Sequence, residues 1–190
     1  MVTSTDQVRG WLAELGEIER EGDAVLRGLT NAQGDWRPAP GKWSIAECVS
    51  HLRLVGTLLL ERLEPLLIRA RDENLLSGEP ARLGPVGGWF TRTMERAGRR
   101  TMPSPRNFGP PSGIPLDSAA AAWRIYHVRL RRAIESAEGL ALRKIRMTSV
   151  AEGAGFLRLN AAAWIASTLA HERRHIAQMR RVRDAEGFPR

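Results

Sequence analysis

Four stretches of this chain repeat apolar residues at spacings of three and four, and that periodicity restricts the fold more than any other feature. In the first, Val8, Trp11, Leu15, Ile18, Val25 and Leu29 share one face of a helix predicted over residues 5–29. Ser4 with Gln7 has the form of a capping box at its start. In the second, Ile45, Cys48, Leu52, Val55, Leu59, Leu63 and Leu66 form the stripe of a helix over residues 44–71. Ser44 with Glu47 supplies another capping box, and Pro65 predicts a kink or early fraying. Trp123, Tyr126, Leu130, Ile134 and Ala137 mark a third helix over residues 117–137. The last opens on Asn160 as N-cap and runs to about residue 184, with Trp164, Thr168, Leu169, Ile176, Met179 and Val182 on one side.

The connections fit the same plan. NAQGDWRPAPGK, residues 31–42, breaks the periodicity with two prolines and two glycines. Residues 72–116 are rich in proline and glycine and long for a bare loop, so a crossover with a short helix near residues 89–99 is expected. Residues 138–159 form another connection, with extended structure near KIRMTSV. The expectation is an all-α four-helix bundle, a single domain over residues 1–190, with its long crossover between the second and third helices.

Composition limits the rest. Cys48 is the only cysteine, which excludes an internal disulfide and suits a reducing compartment. MVTSTDQVRGWLAEL has no apolar run before a cleavage site, and no stretch approaches the roughly 20 apolar residues of a membrane span. A cytoplasmic location is therefore expected. The net charge of +8 raises nucleic acid as a partner, yet aromatics are only 6% and no basic stripe interleaves with them. The run TRTMERAGRRTMPSPR is the best place for a basic patch, and it also reads as a solvated loop.

Chemistry enters with HERRH, residues 171–175, which has the H-E-x-x-H form of zinc peptidases. At about 100° per residue, His171 and His175 lie about 40° apart and roughly 6 Å along the axis, on the side of Trp164, Thr168 and Met179. Two imidazoles on one inner face suit a metal better than core packing. A peptidase needs a third ligand, and Arg181 stands where the common pattern has a histidine. Asp184 and Glu186 are too close on the same helix to serve, so the peptidase reading fails.

His51, on the edge of the second stripe, can bring the count to three imidazoles from two helices. Such a donor set suits zinc, nickel and other borderline divalent ions. Glu172 faces inward and needs a partner: it can orient a ligand histidine, pair with an arginine or move protons as a catalytic acid or base. His127 reads as a core histidine or a pocket wall, and Cys48 as a core residue or a soft ligand. Trp43, Tyr126, Trp164 and Met179 read as ordinary core or as pocket walls.

Two segments resemble a known family. WRPAPGKWSIAECVSHL, residues 36–52, resembles the start of the second helix in the DinB-like superfamily, and residues 157–189 are similar to its last helix and tail. The resemblance implies up-down-down-up topology and a histidine triad of His51, His171 and His175 holding zinc or nickel. It also implies kinship with transferases and isomerases that use low-molecular-weight thiols such as bacillithiol or mycothiol. The expected function is a metal-dependent enzyme that transfers such a thiol to a small electrophile. Its rivals are a metal-dependent hydrolase with Glu172 as base, and a non-catalytic metal-binding protein of a stress response. The expected partners are a small-molecule substrate and a second copy of the chain in a homodimer, with no nucleic acid and no membrane.

Overall fold

The computed structural model describes residues 2–96 and 105–190. Its helices are α1 (Ser4–Leu26), α2 (Asn31–Asp35), α3 (Ile45–Asp72), α4 (Gly84–Arg96), α5 (Leu116–Ser136) and α6 (Ala161–Arg183). Two short strands, β1 (Arg146–Thr148) and β2 (Arg158–Asn160), pair antiparallel with Met147 opposite Leu159. The four predicted helices are α1, α3, α5 and α6. None of the helices in the described residues is long and apolar enough to cross a membrane.

Caps explain most of the boundaries. Ser44 and Glu47 form the expected capping box of α3, and the Asn160 side chain accepts from the Ala163 N–H to open α6. At α1 the box is made by Thr3 and Asp6, one residue before the expected pair. An anionic Asp6 in the first turn is favoured by the helix dipole. Gln7 does other work: its amide exchanges two hydrogen bonds, 3.0 and 2.8 Å, with the backbone of Ala81 and ties α1 to the crossover. Gly28, at φ 75°, turns the chain just after α1 ends. The segment read as a plain connection contains α2, which Thr30 and Gln33 cap in the same way.

Pro65 neither fragments nor ends α3, which continues to Asp72. The proline is exposed while Leu63 and Leu67 on either side are buried, and Glu61, whose carbonyl loses its helical donor, is exposed too. Arg129 also grips Glu64 with a fork of 2.7 and 2.6 Å just before it. The short crossover helix starts earlier than expected, at Gly84, and packs on α6 where Gly87 meets Ala163. The expected helix end at residues 97–99, and Arg99 and Arg100 of TRTMERAGRRTMPSPR, lie outside the described residues.

Side-chain partners give the direction of each helix. Glu64 of α3 meets Arg129 of α5, and Arg71 donates to the Ser136 carbonyl at 2.9 Å, so numbers rise together and the helices are parallel. Likewise α1 and α6 are parallel, since Glu14 pairs with Arg173 and Glu21 with Arg180. Between α1 and α5 the order reverses: Glu19 meets Arg131 at 2.7 Å and Asp23 meets Arg124 at 2.8 Å. This is an up-down-down-up bundle. Leu15, Ile18, Leu63, Trp123, Ile134 and Ile165 are at most 1% exposed in its centre. Each fully buried side chain of this kind contributes about 1.5–3 kcal/mol. Gly56 admits the Tyr126 ring, which a Cβ at that position would overlap.

Candidate metal centre

The capping box at Ser44 fixes the start of α3, and His51 follows within two turns on its buried side. On α6, His171 and His175 are one turn apart and face it. The His51 Nε2 lies 3.2 Å from His171 Nε2, which lies 3.1 Å from His175 Nε2. The donor atoms of the three residues are all within 4.8 Å of one another. Sequence reading singled out these three residues, and the fold brings them together.

The tautomer of His51 follows from its other nitrogen. Its Nδ1 is 2.7 Å from the Phe108 carbonyl oxygen, which can only accept, so Nδ1 carries the hydrogen. A neutral His51 therefore turns a lone pair toward the other two rings. Converging ring lone pairs repel unless a proton or a cation lies among them. Burial holds the His51, His171 and His175 pKa values down, His171 to about 3, with nearby positive charge acting in the same direction. All three are neutral at physiological pH, the state that binds metal. All three line a cavity, with His171 partly exposed and His51 and His175 buried. The donor set and the carbonyl-anchored His51 fit a divalent transition ion.

The cavity has a volume of about 330 Å³. Of the residues that read as core or pocket wall, Trp43, Tyr126 and Trp164 line it, joined by Phe90, Met94 and Phe108 from the crossover. Trp43 lies parallel to His175, with ring centroids 5.7 Å apart, and so restrains it. Met179 is core, buried at 1% and away from the cavity.

Glu172 is buried and also reaches the cavity wall, but its Oε2 is engaged on the α5 side. It accepts from Trp123 Nε1–H at 3.1 Å and from His127 Nε2–H at 3.2 Å. That gives His127 a hydrogen-bonded place in the core. Cys48 and Tyr126 are fully enclosed, and burial pushes the pKa of each upward, which opposes a thiolate or phenolate role.

Sequence reading missed the Phe108 carbonyl and Arg174. The first is a backbone atom in an irregular crossover and has no side-chain signal. The second occupies a variable position of HERRH, and only the three-dimensional placement of charges distinguishes it.

This fold and its three-histidine cluster fit a metal-binding helical bundle. The family model of the DinB superfamily matches residues 14–179, and the chain belongs to that family. No curated protein and no solved structure matches it.

Proposed function

We propose that the chain is a metal-dependent enzyme in which His51, His171 and His175 hold one zinc or nickel ion, and that it transfers a low-molecular-weight thiol to a small electrophile. The observation that carries this reading is the convergence of three neutral imidazoles at the wall of an apolar cavity. When bound there, such an ion would supply positive charge that lowers the pKa of a thiol or water beside it. The chain's own residues do the rest. The Phe108 carbonyl and the Trp43 ring hold His51 and His175 in orientation. The aromatic walls exclude water and seat the electrophile. In the transfer, the thiol gives its proton to solvent and its sulfur forms a bond to the electrophilic carbon. The leaving group departs with the electron pair of the bond that breaks.

Hydrolysis with Glu172 as general base has less support, because Trp123 and His127 already occupy its Oε2. A purely structural metal site has less support as well, since a closed site needs no cavity. The test is metal-dependent turnover of a model electrophile, with a panel of thiols and with water as sole nucleophile. Conjugation should require a thiol and metal, vanish in His51→Ala and fall only modestly in Glu172→Gln. Turnover with water alone, lost by roughly 10²–10⁴-fold in Glu172→Gln, would replace transfer with hydrolysis.

A further inference from the structure

The arginines of α6 differ in what balances them. Arg173 pairs with Glu14 and Glu95, and Arg180 with Glu21. Arg183 donates to the backbone carbonyls of Ala24 and Val25. Arg174 is half-buried and lines the cavity with His171 and His175. No carboxylate among the described residues makes an ion pair with it. Residues 97–104 contain no aspartate or glutamate, so they add no counter-charge. The other charge felt at Arg174 is Arg181, of the same sign.

A guanidinium drawn partly out of water without an anion is unfavourable, and a ligand anion corrects that imbalance. The placement is informative too. Arg174 is three residues after His171, a spacing that puts Cβ atoms about 5–6 Å apart on a helix. An anion on its fork leaves the rest of a small molecule over the histidine nitrogens, with its hydrocarbon body against Phe90 and Met94. Among the described residues that line the cavity, Arg174 is the one arginine or lysine, and a carboxylate engages its planar fork with two parallel hydrogen bonds.

We propose that the substrate of this cavity carries a carboxylate, bound by Arg174 in a two-pronged hydrogen bond, with its reactive end at the histidine cluster. The position of the reactive end rests on the thiol-transfer reading; the carboxylate contact does not. Arg174 thereby sets specificity, and the substrate class is a small carboxylate-bearing thiol or electrophile.

Calorimetric titration of the full chain, metal-free and zinc-reconstituted, tests this with two matched probe pairs. The first is 3-phenylpropionate with 3-phenylpropionamide, and the second is 3-mercaptopropionate with its amide. Each carboxylate should bind at least about tenfold more tightly than its amide, the worth of one hydrogen-bonded charge. In Arg174→Gln that preference should fall below about threefold with amide affinity unchanged, while Arg174→Lys keeps part of it. Circular dichroism checks that both variants are folded. Equal affinity within the phenyl pair in the parent protein, or a preference that survives in Arg174→Gln, would overturn the proposal. Tighter binding of the matching phosphonate would overturn the carboxylate assignment. The thiol reading is tested separately, by the sulfur-to-metal charge-transfer band of cobalt-substituted protein with 3-mercaptopropionate. Its absence would sink thiol binding at the metal while the phenyl pair still decides the role of Arg174.

Discussion

Successive residues of α6 serve two buried polar clusters that solve the same problem in opposite ways. Glu172 turns toward α5, where its carboxylate oxygen takes the Trp123 indole N–H and the His127 ring N–H. All three side chains are at most 2% exposed, so donors and acceptor are matched within the chain. His171 turns toward α3, where three imidazoles meet with no carboxylate among them and a cavity alongside. In the first cluster the chain supplies both donors to the Glu172 oxygen, and His127 Nδ1 alone is left without a hydrogen-bond partner. In the second, three imidazole nitrogens converge with no acid of the chain among them. A buried polar group thus marks a functional site when its neighbours share its hydrogen-bonding character, and a structural one when they complement it.

The largest expected effect comes from the histidine cluster. Untagged protein should reconstitute with about one divalent transition ion per chain. His171→Ala should weaken that binding by more than about 100-fold, beyond what loss of an orienting neighbour does. Chelation and His171→Ala should both leave the helical circular dichroism spectrum in place, because the apolar stripes supply the core. Elemental analysis reads the first result and far-ultraviolet dichroism the second. Global unfolding on chelation would make the site structural and erase the contrast between the clusters.

The Glu172 cluster should behave the other way. Glu172→Leu strands the buried Trp123 and His127 N–H groups, and should cost about 3 kcal/mol in stability. Metal stoichiometry should persist in whatever fraction is folded. Denaturant unfolding of the metal-free protein measures the cost, and elemental analysis checks the metal. A loss of metal equal to that of His171→Ala, with little change in stability, would move Glu172 out of the structural cluster.

The two clusters were not equally legible in the sequence. Period and capping chemistry are local, so the four main helices, the Ser44 and Asn160 caps and the inward face of HERRH could be read directly. The pairing of His51 with that motif needed a neighbouring helix, and the three histidines do meet. Glu172 could be read as inward and in need of a partner, but not assigned one. His127 is 45 residues away on a helix whose rotation no local pattern fixes. The exposed side of Pro65 and the Thr30 cap were lost for different reasons. A proline rule ignores which face meets water, and a five-residue helix is shorter than the window that detects periodicity. Arg174 was hidden because its significance is a missing counter-charge, which exists only after every acid has been placed.

The smallest effect is one of pH, and it arises in the histidine cluster. The His171 pKa is held at about 3 in the folded chain, against an ordinary value near 6.5. Above pH 6.5 both folded and unfolded chains hold this ring neutral, so its protonation does not favour either state. As pH falls through 6.5 the unfolded chain takes up the proton and the folded chain does not, so stability declines. The decline continues until the folded ring itself protonates near pH 3. Between pH 6.5 and 5.5 His171 alone should account for about 1 kcal/mol of lost stability in metal-free protein. His51 and His175, also held low by burial, add losses of the same sign. Replacing His171 by Ala should make the metal-free protein less sensitive over that interval, and saturating metal should make the parent more so, because protons then also compete with the ion. Urea unfolding at the two pH values, with and without metal, measures both. A metal-free parent whose stability is flat from pH 6.5 to 5.5 would mean that the histidines are not held neutral, and that the second cluster completes itself with a proton.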